Sequence, residues 1–198
     1  MKNSTRKIFV AFPLAIVMGL FFSGAFAFDA ANVPKKKQTT IGLYLDAKEA
    51  YGMAEREKIL FLDVRTRAEV NFLGMPTIAD ANVPYMEMDA MYSWNEKKGV
   101  FKLESNSDFV AEVEKRLKAK EMNKSDSIIL ICRSGKRSAK AANLLAKAGY
   151  GKVYSVVDGY EGDMAKSGEN AGRRAINGWK NADLPWSYKL DKDKMYFN

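Results

Sequence analysis

Nearly continuous apolar runs alternate along this chain with longer segments whose apolar residues recur at helical spacing. Residues 59–62 (Ile-Leu-Phe-Leu) and 127–131 (Ser-Ile-Ile-Leu-Ile) have the length and composition of strands that are buried on both faces of a parallel sheet. The runs at 81–84 and 152–157 predict two further strands. The pattern therefore predicts several short buried strands separated by helices.

The segments between these runs predict the helices. Helical spacing of apolar residues predicts helices over 43–58, 66–72, 108–121 and 137–148. Thr66 and Glu69 have the spacing of a capping box, which gives Glu69 a structural role at the start of its helix. Residues 86–107 predict a long connection with some helix. Since strands alternate with helices, the chain predicts an α/β fold with a parallel sheet.

Polar residues follow three of the predicted strands. Asp63 and Arg65 follow the first, Cys132 follows the strand at 127–131, and Asp158-Gly159 follow the last. In open parallel sheets the ligand site lies at the carboxyl ends of the strands. Three separate segments are therefore expected to meet at one rim of the sheet.

Cys132 is the only cysteine of the chain, which has no histidine. Arg133, Lys136 and Arg137 follow it closely, and their positive field favours the thiolate form. The next helix begins near Arg137 or Ser138, so its N–H groups and positive dipole end face the same loop. A lone cysteine is often only a small buried apolar residue. Here its cationic surroundings predict a loop that holds an anion beside a thiolate.

Four stretches of this sequence resemble one family. Residues 132–138 (Cys-Arg-Ser-Gly-Lys-Arg-Ser) resemble the active-site loop of rhodanese-domain sulfurtransferases, and 62–70 are similar to the family's Asp-Val-Arg signature followed by Glu. Residues 82–84 (Asn-Val-Pro) and 153–159 are similar to its Asn-Ile-Pro segment and its last strand with a Gly turn. The resemblance extends from about 43 to 188. It implies a rhodanese-like domain in which helices flank a parallel β-sheet on both faces.

The resemblance also implies an activity. A thiolate at Cys132 would take sulfur from a small anionic donor such as thiosulfate, hold it as a persulfide, and pass it to cyanide or a thiol, with no general base required. The implied substrate-binding residues are Arg133, Ser134, Gly135, Lys136, Arg137 and Ser138. Asp63 and Arg65 would brace the loop, although Arg65 could instead contact the substrate. No cofactor is implied.

Two other functions remain open from the residues. The domain could be a persulfide carrier or redox-sensing module that hands sulfur to a protein partner. It could also be a cysteine phosphatase or arsenate reductase, but these enzymes use a Cys-x5-Arg loop, whereas Arg137 gives Cys-x4-Arg. A metal site is not expected, because one cysteine and no histidine leave only carboxylates as ligands.

The predicted domain occupies residues 43–190 and is followed by a C-terminal tail over 191–198. After Gly159 it departs from the family pattern, because 160–177 intervene before a tryptophan-bearing end that resembles the family's own. This insertion follows a strand at the predicted active-site rim. It could cover the pocket, or be a tolerated surface loop.

The N-terminus has the three parts of a secretory signal peptide over residues 1–27. A positively charged start, an apolar stretch at 8–22 and an Ala-Phe-Ala cleavage site at 25–27 predict a mature start at Phe28, with an uncleaved anchor as the alternative. The mature protein is thus expected to be periplasmic or secreted, without stable membrane insertion. Residues 28–42 are polar and lysine-rich and predict a flexible lead-in.

The net charge favours small anionic ligands. It is formally +8, and three of these charges lie in the leader, which leaves +5 for the rest of the chain. This charge is too diffuse to indicate nucleic-acid binding. A free thiol in an oxidising compartment also favours a chemical role for Cys132.

Overall fold

The computed structural model describes residues 32–197. The predicted signal peptide over 1–27 lies outside the described residues. Among the helices that the structure describes, none has both the length and the apolar character needed to cross a membrane.

The regular elements of residues 32–197 follow the alternation read from the sequence. The strands, in chain order, are β1 (Tyr44–Leu45), β2 (Leu60–Asp63), β3 (Met75–Pro76), β4 (Ala81–Asn82), β5 (Met86–Met88), β6 (Trp94–Asn95), β7 (Val100–Phe101), β8 (Leu103–Ser105), β9 (Ile128–Ile131), β10 (Val153–Val156) and β11 (Trp186–Ser187). The helices are α1 (Ala47–Arg56), α2 (Arg67–Leu73), α3 (Phe109–Ala119) and α4 (Lys136–Lys147), with short 3-10 turns at Lys35–Lys37 and Lys192–Lys194.

A five-stranded parallel sheet forms the centre of the fold, in the order β1-β10-β9-β2-β4. Successive side chains of its strands lie on opposite faces of the sheet and pack in two separate hydrophobic cores. Leu60 and Leu62 pack with the apolar stripes of α3 and α4, whereas Phe61 packs on the opposite face with α1 and Trp179. The predicted α/β fold, with helices on both faces of a parallel sheet, is confirmed.

The first predicted helix, 43–58, is wrong at its start. Tyr44 and Leu45 form strand β1, which pairs with Ser155 and Val156 at the edge of the sheet. Asp46 then ends the strand and caps α1, since its side chain accepts a hydrogen bond from the backbone N–H of Glu49. The helical spacing of the apolar residues gives no sign that Tyr44 and Leu45 pair with the edge of the sheet.

The connection over 86–107 also differs from its prediction. Instead of helix, the structure has two antiparallel pairs here, β5 with β8 and β6 with β7. Trp94 faces Phe101 across the β6–β7 pair, with ring centroids 5.2 Å apart and an edge-to-face arrangement. Cross-strand aromatic pairs of this kind stabilise a hairpin, and they leave no periodic pattern of apolar residues in the sequence that would predict it.

Both ends of the described chain pack on the domain. In the segment predicted as a flexible lead-in, Val33 is buried, and the Nζ of Lys37 lies 2.8 Å from Oδ1 of Asp163, while Lys35 and Lys36 are exposed. At the other end Tyr196 is buried, and Arg116 of α3 donates to the main-chain oxygen of Met195. The segment after β10 returns as β11, which pairs with β3.

Candidate active site

Cys132 lies at the carboxyl end of the central strand β9, where the chain turns into α4. Only 1% of this residue is exposed. The loop ends at Gly135, which has a left-handed φ of 85°, and α4 begins at Lys136, one residue before its predicted start. The buried thiol of Cys132 thus lies between the end of β9 and the loop that leads into α4.

The segment after β10 presses directly against this loop. A Cβ added at Gly159 would lie 2.5 Å from the main-chain oxygen of Cys132 and 2.6 Å from the nitrogen of Ser134, and one at Gly135 would lie 2.1 Å from the oxygen of Val157. The backbone N–H of Tyr160 also donates to the oxygen of Cys132 at 2.8 Å. Only glycine permits this approach, which fixes the loop against the end of β10.

Ser138 lies beside the thiol on the first turn of α4. Its Oγ is 3.6 Å from the Sγ of Cys132 and donates to the main-chain oxygen of Gly135 at 3.1 Å. Ser155 of β10 donates to the same Oγ at 3.0 Å. The sequence identified Ser138 but not Ser155, whose position inside a strand gives no signal of a hydroxyl network.

The three cations of the loop have different surroundings. Arg133 and Lys136 are exposed, and neither forms an ion pair within residues 32–197. Arg137 instead forms two bonds to Glu69, with Nη1–Oε2 at 2.5 Å and Nη2–Oε1 at 2.6 Å. Burial acts to raise the pKa of Glu69, but the bond and charge of Arg137 outweigh it and lower that pKa to about 2. The sequence predicted only a capping role for Glu69.

Asp63 and Arg65 form a fully buried pair behind the loop. The Nη2 of Arg65 lies 2.5 Å from Oδ2 of Asp63 and also donates to the main-chain oxygen of Gly74 at 2.7 Å. Its guanidinium carbon lies 3.8 Å from the ring centroid of Tyr160. Arg65 has no exposed surface for contact with a substrate from solvent, and its link to the loop is indirect, through Tyr160, whose backbone N–H donates to the oxygen of Cys132.

Asp158 lies two residues after β10 and binds the backbone at the point where the chain returns after the insertion. Its Oδ2 accepts from the backbone N–H of Gly178 at 3.0 Å, while its buried Oδ1 has no hydrogen-bond partner in the described part of the chain. Burial, supported by the nearby charge of Asp46, raises the pKa of Asp158 to about 6. This carboxyl group therefore sits between the end of the strand and the far end of the insertion.

The insertion over 160–177 brings the charge of Arg174 close enough to interact with Arg133 of the loop. Its Nη1 donates to the main-chain oxygen of Gly162 at 2.6 Å. Its pKa is lowered by burial and next by the positive charge of Arg133, and the thiol of Cys132 is among its other electrostatic partners. The sequence showed Arg174 only as part of an insertion, because no local pattern predicts which arginine of the insertion lies near the charge of Arg133.

The described residues offer no cluster for a metal: within 32–197, no three His, Cys, Asp or Glu side chains are grouped so that they could hold an ion. The site consists of one thiol, backbone N–H groups, a hydroxyl and cations. Such a site can stabilise negative charge on a sulfur atom bound to Cys132.

Comparisons with known proteins place this geometry in context. Residues 46–166 match the family model described as "Rhodanese-like domain". An uncharacterised protein of Rickettsia prowazekii is 32% identical over 71% of this chain and 93% of its own length, and thiosulfate sulfurtransferase 16, chloroplastic, of Arabidopsis thaliana is 35% identical over 54% and 75%. The crystal structure of Rv0390 from M. tuberculosis superposes with a TM-score of 0.55 at 26% identity, covering 74% of this chain and 97% of that one.

Proposed function

This chain belongs to the rhodanese-like domain family, whose relatives support a sulfur-transfer role, and we propose that it moves sulfane sulfur from thiosulfate or a similar anion to a thiophilic acceptor through Cys132. One observation carries the proposal. The only cysteine of the chain directly follows the central strand β9, in the loop that leads into α4, and Arg133 and Lys136 of this region are exposed beside it.

The reaction has two half-reactions that balance without a cofactor. The thiolate of Cys132 attacks the outer sulfur of thiosulfate, a new S–S bond forms, and the original S–S bond breaks as sulfite leaves with its electron pair. Cyanide or a thiolate then attacks the outer sulfur of the persulfide. The S–S bond to Cys132 breaks, and its sulfur regains the electron pair.

The surrounding residues have separate parts in this proposal. Arg133 and Lys136 attract the donor and stabilise the charge that leaves with sulfite. The N–H groups of the loop stabilise negative charge on the persulfide, and the hydroxyl of Ser138, which accepts from the Cys132 thiol, turns to donate to the sulfur once the thiol has lost its proton. Arg137 and the Asp63–Arg65 pair hold the loop in place.

Intact mass measurement tests the proposal. After thiosulfate treatment the protein is expected to gain one sulfur atom, which cyanide or a thiol then removes, while Cys132→Ser gains none. Loading without turnover on small acceptors would instead favour a persulfide carrier. No gain in mass would contradict sulfur transfer through Cys132, and phosphate esters and arsenate would then be tried.

We also propose that the protein acts after export, in the periplasm or outside the cell. The support is the sequence of residues 1–27, with its charged start, apolar stretch and Ala-Phe-Ala site. N-terminal sequencing of the protein from its native host is expected to begin at Phe28. A start at Met1 in a membrane fraction would contradict cleavage.

A further inference from the structure

A groove of about 1130 Å³ lies beside the active-site loop. Three parts of the chain line it: residues 34–37, Ser134 and Lys136 of the loop, and the insertion from 163 to 176. Small-molecule sites typically enclose about 300–1,000 Å³, and thiosulfate has only five heavy atoms. The groove therefore has room for a ligand much larger than the sulfur donor.

Positive charge dominates this groove. Its cationic lining residues are Lys35, Lys36, Lys37, Lys136, Lys166 and Arg174. The carboxylates that line it are Asp163 and Glu169, and the first of these is already paired with Lys37. Lys35, Lys36 and Lys166 are exposed, and none of them forms an ion pair with another residue of the described chain. An excess of unpaired lysines in a concave surface attracts an anion with several charges.

The groove is joined to the reactive loop at two places. Lys136 belongs to the first turn of α4, and the Cδ of Lys37 lies only 3.0 Å from the position of a Cβ added at Gly135. Arg174 lines the groove and has Arg133 among its electrostatic partners. A ligand in the groove thus lies against the loop that carries Cys132.

We propose that this groove binds the sulfur acceptor, and that the acceptor is an acidic peptide segment with a thiol; this inference rests on the sulfur transfer proposed above. The carboxylates of the peptide bind the lysines, and its thiolate attacks the outer sulfur of the persulfide. A new S–S bond forms on the peptide, the bond to Cys132 breaks, and the Cys132 sulfur leaves with the electron pair. The proton of the peptide thiol goes to solvent.

The test uses two synthetic peptides, one with a cysteine flanked by glutamates and one with glutamines in their place. With the persulfide-loaded protein, the glutamate peptide is expected to react about tenfold faster at low salt, because each exposed ion pair contributes a few-fold at most. The preference is expected to shrink as ionic strength rises. Lys35→Gln/Lys36→Gln/Lys166→Gln should abolish most of it. The charge-matched control, Lys97→Gln/Lys98→Gln/Lys102→Gln at the exposed β6–β7 hairpin, should retain it.

A binding measurement separates this inference from the proposed function. The glutamate peptide, made with serine in place of its cysteine and a fluorescent label, is expected to bind more tightly than its glutamine counterpart without any sulfur transfer. Equal binding and equal rates for the two peptides would overturn the groove assignment, as would an equal loss in the β6–β7 control variant. If the peptides bind with this charge preference but the protein forms no persulfide, the assignment of the groove as an acidic-peptide site is supported. Only the proposed sulfur transfer is then contradicted.

Discussion

The guanidinium of Arg137 and the carboxylate of Glu69 form a two-bond ion pair between residues 68 positions apart, at 2.5 and 2.6 Å. The same carboxylate accepts a hydrogen bond from the backbone N–H of Thr66 and caps α2. Because less than a fifth of each side chain is exposed, solvent screens the pair only weakly. The pair joins α2 to the helix that begins at the active-site loop.

Replacing Glu69 with glutamine should change how stability depends on pH. The pKa of Glu69 is lowered from 4.5 to about 2 in the folded protein, so this group stabilises the fold above pH 4.5 and the contribution is lost as pH falls toward 2. The shift corresponds to roughly 3 kcal/mol at most. Urea unfolding at several pH values should show that Glu69→Gln is less stable at pH 7 and loses less between pH 4.5 and 2.

The matched control is Glu114→Gln, whose carboxylate pairs with the exposed Lys118 within α3. Exposed pairs contribute little to stability, so this variant should unfold much as the unmodified protein does. Equal losses in the two variants would contradict a special role for the pair with Arg137.

Asp158→Asn should have the opposite pH signature. Burial raises the pKa of Asp158 from 3.8 to about 6 in the folded protein, so its contribution is fully present below pH 3.8 and is lost as pH rises through 6. Asparagine keeps an oxygen for the N–H of Gly178 but does not ionise. The variant should therefore lose about 3 kcal/mol less than the unmodified protein between pH 4 and 7. Parallel stability curves would contradict this, and the exposed Asp193→Asn should leave the slope unchanged.

Gly159→Ala should displace the active-site loop. Its φ is 71°, and the added Cβ would meet the main-chain oxygen of Cys132 at 2.5 Å. A left-handed alanine costs about 1–2 kcal/mol, and the overlap adds about 1–3 kcal/mol. Gly149→Ala is the control, since its φ is 90° but nothing lies within 4 Å of the added Cβ. Persulfide formation should fall strongly in the first variant only, and equal rates would contradict the packing argument.

The sequence predicted what depends on long local patterns. β2, β9 and α3 lie within one or two residues of their expected bounds, because each has a run or stripe of apolar residues. β1 was missed because two residues become a strand only when β10 lies beside them. The hairpin elements within 86–107 were missed for the same reason, since cross-strand partners rather than periodicity stabilise them.

The candidate site divides in the same way. Cys132 and its loop form one continuous motif, so the sequence could identify them. The partner of Arg137 lies 68 residues away, and Arg174 comes from an insertion, so no local spacing connects either residue to the thiol. Long-range ion pairs and the direction of a loop side chain follow from packing, which a single sequence does not report.

Ser138→Ala should slow persulfide formation. The thiol of Cys132 donates to the Oγ of Ser138 at 3.6 Å, and once Cys132 ionises the Ser138 hydroxyl turns from the oxygen of Gly135 to donate to the thiolate. A hydrogen bond to a charged group contributes about 1.5–3 kcal/mol. The rate of mass gain with thiosulfate should therefore fall by roughly ten- to a hundredfold. Ser155→Ala, which removes only a donor to the Ser138 hydroxyl, should have a smaller effect. A larger effect of Ser155→Ala would contradict direct stabilisation of the sulfur by Ser138.

The exposed loop cations should control the encounter with the donor rather than the stability of the fold. Arg133 and Lys136 form no ion pair within the described residues, whereas Arg137 is bound to Glu69. Arg133→Gln/Lys136→Gln should slow persulfide formation by roughly three- to tenfold at low salt, because the field that attracts the dianion is weaker.

The same double variant should also show a flatter dependence of this rate on ionic strength, while its urea midpoint stays close to that of the unmodified protein. Arg137→Gln should instead lower the midpoint, because it leaves Glu69 as an unpaired, mostly buried carboxylate. Stopped-flow rates over a salt series, with Lys97→Gln/Lys98→Gln as the charge-matched control, measure both effects. If Arg133→Gln/Lys136→Gln leaves the salt dependence of the rate unchanged, these two cations do not attract the donor. The attraction would then come from the positive N-terminal end of α4 and from the lysines of the groove.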